Sequence, residues 1–298
     1  MLDALQPPDS SQRIRKMQQT VESLPIWLRR IERWTVLTGA GVSAASGIPT
    51  YRDRTGRWLR VNPIQHQEFV ESHSKRQRYW ARSMVGWRGV GAALPNPNHH
   101  ALAALERLGK IDTLITQNVD RLHQRAGSRN VIDLHGRLDR AACLQCGVFE
   151  DRDSLQKRLL TANPFVNEYS HIARPDGDAD VPEDYILQTV TPECLSCGGT
   201  LMPDVVFFGG TVPKPRVEQC YEAIDRSTGL LVVGSSLQVF SGFRFCRHAQ
   251  KRGIPIIIVN EGKTRADNIA TLKIESQGLK RFVAAVDELI PSTEKKTA

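Results

Sequence analysis

Short apolar runs recur along this chain, separated by helical stretches, and each run ends in glycine or a small polar residue. The runs are Trp34 to Thr38, Asp112 to Ile115, Val131 to Leu134, Val205 to Phe208, Leu230 to Val233 and Ile254 to Val259. Residues 101–108 and 216–224 carry helical spacing between them. Strands that alternate with helices predict an α/β fold with a mostly parallel, doubly wound, Rossmann-like sheet. Such sheets bind ligands beyond the carboxyl ends of their strands. The runs lead into Gly39-Ala40-Gly41, Gln117-Asn118-Val119-Asp120, His135-Gly136, Gly209-Gly210, Gly234-Ser235-Ser236 and Asn260. Small and polar residues also begin ordinary loops, but together these ends predict one crevice.

Composition narrows the class. Apolar residues make up 40% and charged residues 24% of 298, an ordinary globular mixture. The net charge of +8 is spread along the chain, so a polyanion partner is permitted without being demanded. The longest apolar run, Ile254 to Val259, is far short of the roughly 20 residues of a membrane span. Asp3 and Asp9 stand where a secretory or transit signal would avoid acids, and four of the six cysteines form two Cys-x-x-Cys pairs. The expectation is a cytoplasmic protein with no membrane partner.

The pairs are Cys143/Cys146 and Cys194/Cys197, with Gly147, Gly198 and Gly199 supplying turns. Four thiolates make a closed tetrahedral zinc site with no position left for water, so the metal should be structural. Cys220 and Cys246 read as buried thiols. The organisation expected is a loose N-terminal extension and helix at 1–24, a discontinuous dinucleotide-binding domain at 25–142 and 198–290, a zinc module at 143–197, and a flexible tail at 291–298.

Gly39-Ala40-Gly41-Val42-Ser43-Ala44 after the first run matches the G-x-G-x-x-A variant of the dinucleotide fingerprint. There, glycines admit a pyrophosphate to the amides that open a helix. The acidic strand end expected about twenty residues later is missing. Ser46-Gly47-Ile48-Pro49-Thr50-Tyr51-Arg52 follows instead, which reads as a loop with an arginine, Arg52, able to reach a phosphate. An ordinary hydride-transferring dehydrogenase is disfavoured. With a structural metal, the reacting group must be organic, and His135 at the third strand end is the candidate base because imidazole titrates near neutrality. His99, His100 and His123 read as capping or packing.

Together these residues resemble the sirtuins, the NAD-dependent protein lysine deacylases. The matching residues, in family order, are Gly39-Ala40-Gly41-Val42-Ser43, Ser46 to Pro49 with Arg52, Thr116 to Asp120, His135-Gly136, both cysteine pairs, Val205 to Gly209, Gly234 to Leu237, and Asn260. Pro63 to His66, Arg76 to Arg82, Pro95 to Pro97 and Pro175 to Asp178 resemble the class II, sirtuin-four branch, in a bacterial form.

The resemblance implies NAD held by Gly39, Ala40, Gly41, Ser43, Ile48, Pro49, Tyr51, Arg52, Gln117, Asn118, Val119, Asp120, Gly234, Ser235, Ser236, Asn260, Glu261, Gly262 and Gly278. Nicotinamide would sit by Ile48, Asn118 and Asp120. Its departure leaves an electrophilic ribose for the acyl oxygen to attack, and His135 then deprotonates a ribose hydroxyl, giving lysine and 2′-O-acyl-ADP-ribose. Asn118 joins His135 as a catalytic residue. An acyl-lysine peptide would add as a strand between Val206-Phe207-Phe208-Gly209 and Leu237 to Val239.

Tyr79 and Arg82, one helical turn apart, would read an acidic acyl chain as in the desuccinylating members. Thr50, Tyr51, Gly210 and the Phe240-Ser241 pair depart from common deacetylase patterns, which counts against efficient removal of plain acetyl but not against NAD use. Mono-ADP-ribosyl transfer is the nearest alternative. A zinc-ribbon nucleic-acid module lacks the basic and aromatic cluster it would need, so no specific nucleic acid is expected.

Overall fold

The computed structural model describes residues 24–51, 53, 57, 63–168 and 177–291. The expected helix within 1–24, Arg52 and nearly all of the tail at 291–298 lie outside these residues.

The strands in chain order are β1 (Trp34–Thr38), β2 (Ile111–Thr116), β3 (Val131–Asp133), β4 (Gly136–Cys143), β5 (Phe149–Asp151), β6 (Leu201–Val205), β7 (Gly229–Val233), β8 (Ile256–Val259) and β9 (Leu272–Ile274). Six of them make one sheet in the order β3-β2-β1-β7-β8-β9, and every pairing in it is parallel. The central strands β1, β7 and β8 are buried along their whole length. Alternate residues explain why each reads as a continuous apolar run. Val36, Leu231, Val233, Ile257 and Val259 face one core, while Leu37, Leu230, Val232, Ile256 and Ile258 face the other. The first core is covered by helix α1 (24–30), α4 (Pro97–Arg107) and α10 (Gly278–Asp287). The second is covered by α8 (Lys214–Arg226) and α9 (Phe240–Lys251). The sheet is doubly wound.

One expected strand is corrected. The run at 205–208 does not join the parallel sheet: Val205 ends β6, which belongs to a separate antiparallel sheet of order β5-β4-β6. Residues 206–208 continue as loop, with Phe208 bridging Gln65. The sixth parallel strand is β9, whose Leu-Lys-Ile is too short and too polar to stand out in the sequence.

The small sheet packs with α2 (His66–Glu71), α3 (His73–Ala92) and α6 (Arg152–Ala162) around Phe69, Trp80, Met84, Leu155, Leu159 and Leu201. It stands beside the parallel sheet, and β3 runs into β4 through Leu134 and His135. The site therefore lies between the two sheets.

Candidate active site

The strand order changes direction at β1 and β7, where the first chain connection goes one way and a later one the other. A crevice opens at such a switch point. Here the two loops touch: the Gly41 N–H donates to the Gly234 carbonyl at 2.9 Å, and Gln117 Nε2 donates to Ser235 Oγ at 2.7 Å and to the Thr38 carbonyl at 3.1 Å. A Cβ on Gly39 would stand 2.8 Å from the Ser235 side chain, and one on Gly41 would stand 2.8 Å from the Gly234 carbonyl. These glycines therefore let two loops close on each other while they line the cavity. The expected helix start is absent. Residues 40–42 and 44–46 form two single 3₁₀ turns, and the next α-helix among the described residues begins at His66.

Beyond these loops lies a cavity of about 1450 Å³. That exceeds the roughly 300–1,000 Å³ of a pocket for one drug-sized molecule and leaves room for a dinucleotide beside an extended peptide. Of the expected cofactor residues, Gly39, Ala40, Gly41, Pro49, Tyr51, Gln117, Asn118, Val119, Gly234, Ser235, Ser236, Asn260 and Glu261 line it. Of the expected substrate residues, Tyr79, Arg82, Val206, Phe207, Phe208, Gly209, Leu237 and Val239 line it as well.

Ser43, Ile48, Asp120, Gly262 and Gly278 stand outside the lining. Ile48 is buried with Val119 and Leu122, and a Cβ on Gly278 would rest against Val259 at 3.3 Å. Asn260 Nδ2 donates to the Glu261 carbonyl and so folds the loop that holds Gly262. Leu237 is buried with φ +57, a left-handed conformation costing about 1–3 kcal/mol. It persists because its N–H reaches Ser235 Oγ and its side chain fills the core.

Behind Asn118 runs a buried polar chain. Asn118 Nδ2 donates to Ser43 Oγ at 3.0 Å and to the Gly39 carbonyl at 3.2 Å, and Ser43 Oγ donates to Asp120 Oδ2 at 2.6 Å. The Asn96 N–H donates to His99 Nδ1, so the His99 proton lies on Nε2 and points at Ser43 Oγ, 3.4 Å away. Thr38 Oγ1 donates to Thr116 and accepts from His123 Nε2. Burial pushes the Asp120 carboxyl up, against the Ser43 hydrogen bond. Burial likewise pulls His99 down to about 4 and His123 well below its ordinary value, with a neighbouring histidine adding to each fall. Both rings stay neutral at physiological pH.

His135 lies at the cavity wall. Its Nδ1 is 3.1 Å from the Gln117 carbonyl, which can only accept, so the proton sits on Nδ1. Nε2 therefore carries the lone pair and accepts from Ser241 Oγ at 2.8 Å. Burial pulls the ring down to about 4; the Gln117 bond opposes this, and Arg216 adds to it. A neutral imidazole with an oriented lone pair can take a proton.

Arg82, expected to read an acidic acyl chain, lines the cavity already paired with a carboxylate of the chain itself. Its Nε and a terminal nitrogen meet the two carboxylate oxygens of Asp178 at 2.6 and 2.5 Å. The Tyr79 ring packs edge-on against Phe69, Trp80 and Phe207.

The four cysteine sulfurs lie within 4.8 Å of one another, with Cys143 to Cys197 at 3.5 Å and Cys146 to Cys194 at 3.6 Å. A tetrahedron with zinc–sulfur bonds of about 2.3 Å has edges of roughly 3.8 Å, so the four fit zinc with little adjustment. The Cys146 backbone N–H points at Cys143 Sγ and is the main cause holding that thiol down, to about 6. β4 separates Cys143 from His135, and eight strand residues span roughly 25 Å. The metal would hold the small sheet together at a distance from the cavity.

Residues 39–241 match the family profile described as the Sir2 family. This chain belongs to the Sir2 family. Relatives of this Sir2-family protein include an NAD-dependent protein deacetylase of Bordetella bronchiseptica, 51% identical over 85% of this chain and 93% of that one. The NAD-dependent protein deacylase Sirt4 of Drosophila melanogaster is 49% identical over 81% of this chain and 78% of that one. Solved structures that superpose include Sir2 with a p53 peptide and NAD+, at a TM-score of 0.70 and 29% identity, covering 90% of this chain and 98% of that one. Sir2Tm bound to a propionylated peptide superposes at 0.69 and 29%, covering 92% and 98%.

Sequence reasoning passed over Asp178 as a partner for Arg82, Ser241 as a partner for His135, and Arg244 in the cavity wall. The Ser241 signal was present, since Phe240-Ser241 already marked a departure from the common family pattern. The other two depend on contacts that only the folded chain makes.

Proposed function

We propose that this Sir2-family protein is an NAD-dependent protein lysine deacylase. The observation that carries the reading is the fixed His135 tautomer, with Nδ1 committed to the Gln117 carbonyl and the Nε2 lone pair at the wall of a cavity of about 1450 Å³. When bound, NAD supplies an activated ribose that accepts the acyl oxygen. His135 takes a ribose hydroxyl proton on Nε2. For this, Ser241 must turn its hydroxyl away from that lone pair.

The Asn118–Ser43–Asp120 chain orients the Asn118 amide at the inner end, where Ile48 and Val119 help exclude water. Gly39, Gly41, Gly234 and Ser235 position the dinucleotide, with Asn260 and Glu261 at its far end. The peptide main chain pairs between Val206 to Gly209 and Leu237 to Val239, an arrangement that tolerates many sequences. Cys143, Cys146, Cys194 and Cys197 hold one structural zinc. Deacylation is favoured over mono-ADP-ribosyl transfer because His135 is placed to complete acyl migration.

We also place the protein in the cytoplasm, in keeping with six cysteines of which none is joined in a disulfide. No helix among the described residues is long and apolar enough to cross a membrane.

The test is incubation of the purified protein with NAD and acyl-lysine peptides. Nicotinamide with O-acyl-ADP-ribose is the expected product. NADH would indicate a dehydrogenase, and ADP-ribose attached to protein would indicate the transferase.

A further inference from the structure

Among the described residues, Arg244 Nε is the one atom of a charged group that is buried without a hydrogen-bond partner. Such a group costs free energy until an acceptor reaches it. Arg244 lines the cavity and is in no ion pair among the described residues, whereas Arg82 across the cavity is already neutralised by Asp178. It lies on α9, one turn beyond Ser241, and its guanidinium stands 5.2 Å from the centre of the Phe240 ring. The exposed Val239 and Phe240 beside it form the rim. On this rim Arg265 adds a second cation, 5.8 Å from the Phe240 ring centre.

We propose that Arg244 reads a carboxylate on the substrate polypeptide, carried by an Asp or Glu beside the acyl-lysine. The inference rests on the acyl-lysine reading above. The carboxylate is placed on the polypeptide and not on the acyl chain because the neighbours of Arg244 are the outer rim residues along which the peptide main chain would run.

The experiment uses the full chain with NAD and matched acetyl-lysine peptides bearing Glu or Gln within three residues of the lysine, together with a succinyl-lysine peptide bearing Gln. Nicotinamide release gives kcat/KM, and fluorescence anisotropy without NAD gives peptide affinity. The expected result is a preference for Glu of roughly tenfold in both readouts, as for a charged hydrogen bond, fading as salt rises. Arg244→Gln should bring the ratio to within about twofold of unity, and Arg244→Lys should retain part of it. Equal use of Glu and Gln peptides by the unaltered protein overturns the proposal, as does a preference that survives Arg244→Gln. So does an effect of Arg244→Gln confined to the succinyl peptide, which would assign the carboxylate to the acyl chain. Absence of nicotinamide release from every peptide overturns the deacylase reading instead, while the anisotropy comparison still tests Arg244.

Discussion

Arg82 and Asp178, 96 residues apart in sequence, form a two-pronged ion pair in the cavity wall. The pair is held by close packing: a Cβ on Gly86 of α3 would stand 2.1 Å from the Gly177 carbonyl, so the helix meets the 177–178 backbone directly. An acidic acyl chain would have to displace a carboxylate already in place, whereas a neutral chain meets a neutralised wall. The unaltered protein should therefore use neutral acyl-lysine peptides better than succinyl-lysine ones. Asp178→Asn should raise the succinyl-to-acetyl ratio of kcat/KM about tenfold, and Arg82→Ala should abolish that gain when combined with it. An unchanged ratio in Asp178→Asn would separate the pair from acyl selection.

His135→Ala should lower deacylation by a factor of about 10² to 10⁴, the range for a lost general base, and leave NAD affinity measured by calorimetry nearly unchanged. Ser241→Ala should act far more weakly, within about tenfold, because the Gln117 carbonyl and not Ser241 sets the tautomer. Equal losses in the two variants would mean that Ser241 carries the proton itself.

Acid should destabilise the fold through its neutral histidines. His99 is fully buried and titrates at about 4 in the folded chain against 6.5 when free. Between those values the unfolded state binds the extra proton, so stability is intact above pH 6.5 and lost as pH falls toward 4. At pH 5 the loss from His99 alone is about 2 kcal/mol. Urea unfolding at pH 7.5, 6 and 5 measures the slope, and His99→Gln should flatten it. Parallel slopes in the two proteins would rule His99 out as the cause.

The four cysteines predict one zinc per chain. Chelation or Cys143→Ala should melt β4 to β6 and expose the core built on Phe69, Trp80 and Leu155. Metal analysis together with near-ultraviolet circular dichroism would detect this. Cys143→Ala that kept both its zinc and its aromatic signal would contradict the assignment.

Which parts of this molecule are legible in sequence follows from the range of the interactions that make them. β1, β7 and β8 are buried on both faces, so their character is written in consecutive apolar residues. The cysteine pairs are equally local, since two ligands must share one tight turn. The run at 205–208 misled because apolar side chains that line a cavity look the same as a strand interior. β9 was missed because three residues with Lys273 at their centre borrow their order from β8. Asp178 and Arg82 give no local signal, because only the packing at Gly86 and Gly177 brings them together. Arg244 sits in a helix rich in basic residues, where sequence alone cannot separate one guanidinium in the cavity wall from its exposed neighbour Arg247.

The contact between the β1 and β7 loops supplies a final prediction. Gly234 has φ +61, and an added Cβ would stand 2.5 Å from the Val42 backbone nitrogen and 2.8 Å from its side chain. Gly109 has φ +71 with nothing within 4 Å. Alanine at Gly109 carries only the conformational cost of about 1–2 kcal/mol and should leave NAD binding intact. Alanine at Gly234 carries that cost and must also push apart the two loops that shape the crevice. Gly234→Ala should lose about 3 kcal/mol or more in urea unfolding and most of its NAD affinity by fluorescence titration. If the two variants lost equal stability and both bound NAD normally, the loop contact would not be what shapes the site.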